Sequence, residues 1–381
     1  MHIAFLLPAY APGRTLEDYW DYGVCQINQA KALVARGHEV TVITRSAEEV
    51  EVTREGVRYC MVRDGRGPVL RSWQNSRPMF DALRRISPDV VHLHGVGYPL
   101  ITLSLLRMLP RHVPVFVEYH GDARPRFPLS LLQTHVLRRV AGCLFPNGRS
   151  AEDWRIRHRL PPARVHRTIE CAPDRMAGDR DAARRETGFQ GNPVLLWNSR
   201  AVPRRNPDLV LAAYARHIGR TPGAGCHFYM MIPDHDPAVL QRIKAIMAAN
   251  PQLDPYFTLI LGRRPQTEMT PYYNSADYIL SGSEDDPYGF GVVDAMSCGV
   301  IPVVPRSATF REITQEGRIG YLWDLAEPES LDAVLAALPT DRAKIAQLSD
   351  EVQRHFCRNL SMDAQGRALE DIYRTALTHD A

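Results

Sequence analysis

Short apolar runs, separated by stretches of helical spacing, recur along nearly the whole chain, and that alternation leaves few folds open. Ile3–Leu7, Glu39–Thr44, Val90–Leu93 and Val113–Tyr119 are each bounded by turn or polar residues and predict buried strands. Between the first two, Val24, Ile27, Ala30, Leu33 and Val34 share one face of a helix over 24–36, and Gly37 is placed to close it in the left-handed conformation. Strand, helix, strand in repetition implies a parallel sheet covered by helices.

The pattern restarts after a polar stretch over 184–192, where Pro193–Trp197 begins a new strand. Asn206 and Pro207 read as an N-cap and first-turn proline for a helix over Asp208–Ile218. Further strands are expected at His227–Ile232, Phe257–Leu261, Tyr278–Ser281 and Ile301–Val304, and a last helix at Ser361–Leu377. A chain of 381 residues is too long for one ordinary core. The expected division is a first domain over 1–187, a second over 188–358, and a terminal helix over 359–381. Parallel sheets bind ligands beyond the C-terminal ends of their strands, so the loops after strands are where chemistry is sought.

Composition removes several classes. Hydrophobic residues at 45% and charged residues at 23% suit a globular chain, and no apolar run approaches the ~20 residues that span a bilayer. A net charge of +3 argues against a nucleic-acid partner. Met1–Pro8 lacks a basic leader and reads as a strand, not a signal peptide. The seven cysteines, at 25, 60, 143, 171, 226, 298 and 357, form no C-x-x-C pair; a zinc site and a disulfide framework are both unsupported, and a reducing cytoplasm is expected. Arginines at 124, 126, 138 and 139 flank the helix-like stretch Leu129–Val140. A solvated face is the plainer reading, with a weak peripheral contact to anionic lipid left open. Oligomeric state is not legible.

The segment from Ser281 to Gly299 is the richest in chemistry. A strand ends, a glycine-containing turn follows, and a short apolar helix opens, whose first amides suit a diphosphate. Asp286 before the turn and Asp294 two helical turns later can accept hydrogen bonds from sugar hydroxyls; helix capping by Glu284–Asp286 is the competing reading. Arg200 and Arg205 follow a buried strand, where two arginines read plainly as a solvated loop. The loop Pro8–Tyr22 is rich in aromatics (Tyr10, Tyr19, Trp20, Tyr22) and suits either a sugar-binding face or a tucked surface loop.

Asp286-Pro287-Tyr288-Gly289-Phe290-Gly291-Val292-Val293-Asp294-Ala295-Met296-Ser297-Cys298-Gly299 resembles the Glu-x7-Glu block of the family-4 retaining glycosyltransferases. Arg36-Gly37-His38-Glu39-Val40-Thr41-Val42, Asp89–Gly95, His120-Gly121, Arg200–Asn206, Gly262 and Tyr272–Asp277 are similar to that family's other motifs, in order, over nearly the whole chain. The resemblance implies an α/β GT-B architecture: two Rossmann-like domains facing a cleft, with the last helix crossing back to the N-terminal domain. It implies that Arg200 and Arg205 hold the diphosphate, that Asp286 and the amides of Tyr288, Gly289, Phe290 and Gly291 meet the donor sugar, and that Asp294 binds the ribose. His120 would lie against the donor sugar, Gly262 would line the donor site, and Tyr10, Trp20, Tyr22, Gly23, His94 and Asp122 would line the acceptor site. It implies no metal and no cofactor, the partners being a nucleotide-sugar donor and a hydroxyl acceptor (small molecule, glycan or lipid-linked).

The chain departs from the pattern at five positions. Both motif carboxylates are Asp where Glu is usual, each one carbon–carbon bond shorter in reach. Arg205 replaces a Lys, Ser199 a Gly, and Tyr22-Gly23 stands where a Gly-Gly pair is usual. The expected activity is transfer of a hexosyl group, with retention, from a nucleotide diphosphate sugar, with UDP-GlcNAc or UDP-glucose preferred on frequency within the family. A GDP-mannose-dependent mannosyltransferase, a nucleotide-sugar epimerase and a non-catalytic sugar-nucleotide binder are the alternatives. A nicotinamide dehydrogenase is disfavoured, because no G-x-G-x-x-G follows the first strand.

Overall fold

The computed structural model describes residues 1–10, 25–122, 124–168, 175, 177–221, 225–284, 286 and 288–379. The chain divides into two compact units: Met1–Cys171 with Met362–Ala381, and Ala172–Ser361.

The first unit carries β1 (His2–Leu7), β2 (Glu39–Arg45), β3 (Val50–Arg54), β4 (Val57–Val62), β5 (Val90–His94), β6 (Val115–Glu118), β7 (Gly142–Phe145) and β8 (Val165–Arg167). They form one sheet in the order β3-β4-β2-β1-β5-β6-β7-β8, parallel except for the β3–β4 hairpin. β1 shows why an unbroken apolar run makes a central strand. Ala4 and Leu6 enter the core on one face, and Ile3, Phe5 and Leu7 the core on the other. The helix Cys25–Ala35 follows, and Gly37 closes it at φ 83° as expected.

The helix Met362–His379 packs against Cys25–Ala35. Leu369 and Tyr373, both 0% exposed, enter the core on that side. Arg36 donates to Glu370 at 2.5 Å and to Asp363 at 3.2 Å.

The second unit carries β9 (Val194–Asn198), β10 (His227–Ile232), β11 (Phe257–Leu261), β12 (Tyr278–Leu280), β13 (Ile301–Pro305) and β14 (Tyr321–Trp323). All pair in parallel, in the order β11-β10-β9-β12-β13-β14. In both sheets the strand order reverses beside the first strand, at β1/β5 and at β9/β12, which is where doubly wound sheets hold ligands.

Two expectations need correction. The boundary falls at 171/172, not 187/188, because the helix Arg180–Thr187 is tied to the second unit. Arg184 donates to the Ser275 carbonyl and, at 2.9 Å, to Asp277, a carboxylate with 0% exposure that also faces Arg180 and Arg342. The helix after β9 runs from Pro207 to Arg220, but Asn206 does not cap it with its side chain. Asn206 adopts φ 49° and its Nδ2 donates to the Gly282 carbonyl at 2.9 Å, tying the loop after β9 to the loop after β12.

Candidate active site

At the reversal point of the second sheet, the loops after β9 and β12 lie against each other. Glu284 N donates to the Arg204 carbonyl at 3.1 Å. A Cβ at Gly282 would stand 2.8 Å from the Arg205 carbonyl oxygen, so only glycine permits this approach. The contact carries Arg205 to Ser283 and Asp286: its Nη1 donates to Ser283 Oγ at 2.9 Å and pairs with Asp286 Oδ2. The Arg205 Nε is buried without a hydrogen-bond partner. Arg200 stands apart, exposed just past β9; its guanidinium has no hydrogen-bond or ion-pair partner among the described residues. Asp286 accepts from Tyr288 N at 3.4 Å, and Gly289, not a carboxylate, is the N-cap of the helix Phe290–Ser297.

That helix is held close to β9. A Cβ on Gly291 would meet the Asn198 carbonyl oxygen at 2.9 Å, and Gly289, at φ 64°, fits against Phe310 and Ile313. Tyr288, Gly289, Phe290 and Gly291 thus gather at one helix start beside Arg205 and Asp286, where the first amides lack intrahelical partners. Gly262 follows β11 at φ 105° and its N donates to the Ile232 carbonyl.

Asp294 is 1% exposed and paired at both oxygens with Arg175, at 2.5 and 3.1 Å. Arg175 also donates to the Gln266 carbonyl, to Gln266 Oε1 and to Thr270, and lies over the Tyr273 ring. Burial pushes the Asp294 carboxyl up, against the pull of Arg175. The carboxylate expected to bind a ribose is therefore engaged by a buried arginine that no sequence motif singles out.

In the first unit, β5 and β6 deliver His94 and His120 to one place, 3.0 Å apart between Nδ1 and Nε2. His94, expected from sequence to line the acceptor site, is 5% exposed and belongs to a buried cluster with His92 and Glu118. Among the described residues this cluster is the one with the donor types of a metal site. Burial holds His92 and His94 well below the ordinary imidazole range.

His120 and Asp122 line a cavity of about 620 Å³, together with Tyr98, Trp73, Phe127 and Arg126. Asp122 accepts from Val96 N at 3.1 Å and from His120 N at 3.3 Å; burial raises its carboxyl. Trp73 at 52% and Phe127 at 78% exposure make its rim apolar, with Arg71 over the Trp73 ring. Tyr10 lies under the Arg45 guanidinium and is not among the cavity's lining residues. Trp20, Tyr22 and Gly23 lie outside the described residues.

The sequence pattern of Glycosyltransferase Family 4 matches residues 23–168, and that of Glycosyl transferases group 1 matches residues 179–355. The chain belongs to the family-4 GT-B glycosyltransferases. Its fold is similar to that of sucrose-phosphate synthase from Thermosynechococcus elongatus (TM-score 0.74, 16% identity, 99% of each chain covered). It is also similar to Anabaena HepE solved in complex with UDP (TM-score 0.72, 14% identity, 98% of this chain and 100% of that one). Among sequence relatives, D-inositol 3-phosphate glycosyltransferase of Rhodococcus opacus is 25% identical over 202 residues, covering 52% of this chain and 45% of that protein. The Thermobispora bispora protein of the same name is 27% identical over 200 residues, covering 51% of this chain and 46% of its own. The chain thus spans about half the length of the curated relatives it matches. Among the described residues, no helix is long and apolar enough to cross a membrane.

Proposed function

We propose that this chain transfers a hexosyl group from a nucleotide diphosphate sugar to a hydroxyl acceptor, with retention at the anomeric carbon. The observation that carries the reading is the junction of Arg205, Ser283 and Asp286 beside the start of Phe290–Ser297, at the reversal point of the second sheet. A cation and a helix start facing one loop stabilise the charge that develops on a departing diphosphate, with Arg200 free to add a second cation. No metal is needed at the diphosphate in this scheme. The departing phosphate guides the acceptor hydroxyl onto the face it leaves, so no enzymic nucleophile is called for.

By position in the family, His120 serves the donor sugar, and the cavity beside it, with Asp122, takes the acceptor. A uridine nucleotide is the first choice, supported by the UDP bound to HepE. Incubation with uridine, guanosine, thymidine and adenosine diphosphate sugars, reading nucleoside diphosphate release and product anomer, tests the scheme. Release with a retained anomer is expected; an inverted product would refute the mechanism. Arg205→Ala is expected to lose roughly 10²-fold or more in turnover with its melting curve preserved.

A further inference from the structure

Parallel strands buried on both faces normally carry Val, Ile and Leu, yet β5 and β6 carry His92, His94 and Glu118 at 0%, 5% and 1% exposure. His94 and Glu118 are paired in register, and His120 follows two residues on. Gln29 Nε2 donates to Glu118 Oε1 at 3.1 Å. The other carboxylate oxygen, Oε2, faces three imidazoles: His94 Nδ1 at 3.2 Å, His92 Nε2 at 3.5 Å and His120 Nε2 at 3.6 Å. Tyr373 of the last helix stands 2.7 Å from His92 Nδ1.

The positions of the protons follow from what each atom faces. The Gln26 amide nitrogen can only donate, and it lies 3.4 Å from His120 Nε2. His94 Nδ1 lies 3.0 Å from the same atom. Of the ring nitrogens around Glu118 Oε2, His94 Nδ1 is the nearest; the oxygen takes no hydrogen bond among the described residues, but its charge at 3.2 Å favours a proton on that nitrogen. His94 Nε2 is buried with no partner, which an unshared lone pair tolerates better than an orphaned N–H. These constraints agree: His94 is protonated on Nδ1 and donates to the single lone pair of His120 Nε2, with the Gln26 amide nitrogen a longer neighbour of the same atom. A neutral His120 then carries its proton on Nδ1.

We propose that Glu118 and His94 are positioning residues that fix His120 as its Nδ1–H tautomer, so that any hydrogen bond it gives to a ligand leaves from Nδ1. The catalytic meaning of this assignment rests on the proposed glycosyl transfer; the assignment itself does not.

The test uses the full chain, labelled with ¹⁵N histidine and free of ligand, and long-range ¹H–¹⁵N correlation above neutral pH, with His120→Asn identifying the His120 signals. His120 is expected to show a protonated Nδ1 and a bare Nε2. Glu118→Gln is expected to shift the His94 and His120 pattern toward mixed tautomers and to lower kcat about a hundredfold with little change in donor KM, and Glu118→Asp to restore part of both. A wild-type His120 protonated on Nε2 would overturn the proposal, and needs no variant to be read. So would unchanged His120 signals and kcat in Glu118→Gln, or one equivalent of a transition metal in the purified protein, since the imidazole lone pairs would then be bound to the ion. If the spectra agree but no nucleotide sugar is turned over, the glycosyl-transfer reading fails and the tautomer assignment stands.

Discussion

Arg175 directs every N–H of its guanidinium to a partner within the second unit, and two of those bonds go to Asp294. A buried carboxylate stripped of its cation is costly, so Arg175→Ala is expected to lower stability by about 3–5 kcal/mol in denaturant melts. Adding Asp294→Asn removes the stranded charge and is expected to restore most of the loss. A double variant no more stable than Arg175→Ala would mean the pair does not set the cost. Asp294 was legible from its motif; its partner was not, because the sequence around Arg175 shows no apolar period to mark it. Glu118 did leave a trace, as the one charged residue inside the apolar run Val113–Tyr119. A charge at a position that strand alternation buries must be paired, and no neighbour in sequence could say with what.

β1, β2, β5, β6 and β9 to β13 could be read from sequence because burial writes itself as an apolar run, and the helix after β9 from its first-turn Pro207, whereas the interior strands β4 and β7 were not singled out. β3 could not: Val50–Arg54 is mostly exposed and shows no such run, and its pairing with β4 depends on the turn at Glu55–Gly56, at φ 51° and 77°. β8 and β14 have three residues each, too few to carry a period. The place of the site followed from topology, since strand ends at a reversal point collect loops whatever their residues are. What topology could not give was spacing, which glycines set. Gly291→Ala would put a methyl group 2.9 Å from the Asn198 oxygen and push the helix Phe290–Ser297 off β9. Calorimetry with UDP is expected to show binding weakened by about tenfold, roughly 1.4 kcal/mol, while the sheet stays folded. Unchanged affinity would place the nucleotide elsewhere.

At the scale of the molecule, the buried histidines make stability depend on pH. Burial holds His92 and His94 neutral in the folded state, whereas the unfolded chain takes up their protons below about pH 6.5. Their neighbours are Glu118, His120, Gln29 and Tyr373. Stability is therefore fully present above that value and falls as the solution is acidified, by about 1.4 kcal/mol per pH unit for each proton excluded. Glu370 adds a later loss. Arg374 and Arg36 hold its carboxyl down to about 2, so its contribution is present above the ordinary carboxylate range near ~4.3 and disappears toward the lower value. Melting temperatures recorded from pH 8 down to 3 should decline from near 6.5; a flat profile across 6.5 to 5 would contradict the buried neutral pair.

The helix Met362–His379 has a further effect, on the order of assembly during translation. Its Leu369 and Tyr373 complete a core begun by Ile3 and Phe5, and the ribosome makes them only after the whole intervening unit has been translated. Domains usually settle in the order of their synthesis. Here the unit whose strands come earlier is completed by the later helix, and until that helix is made Cys25–Ala35 lacks the face of Leu369 and Tyr373 that it packs against.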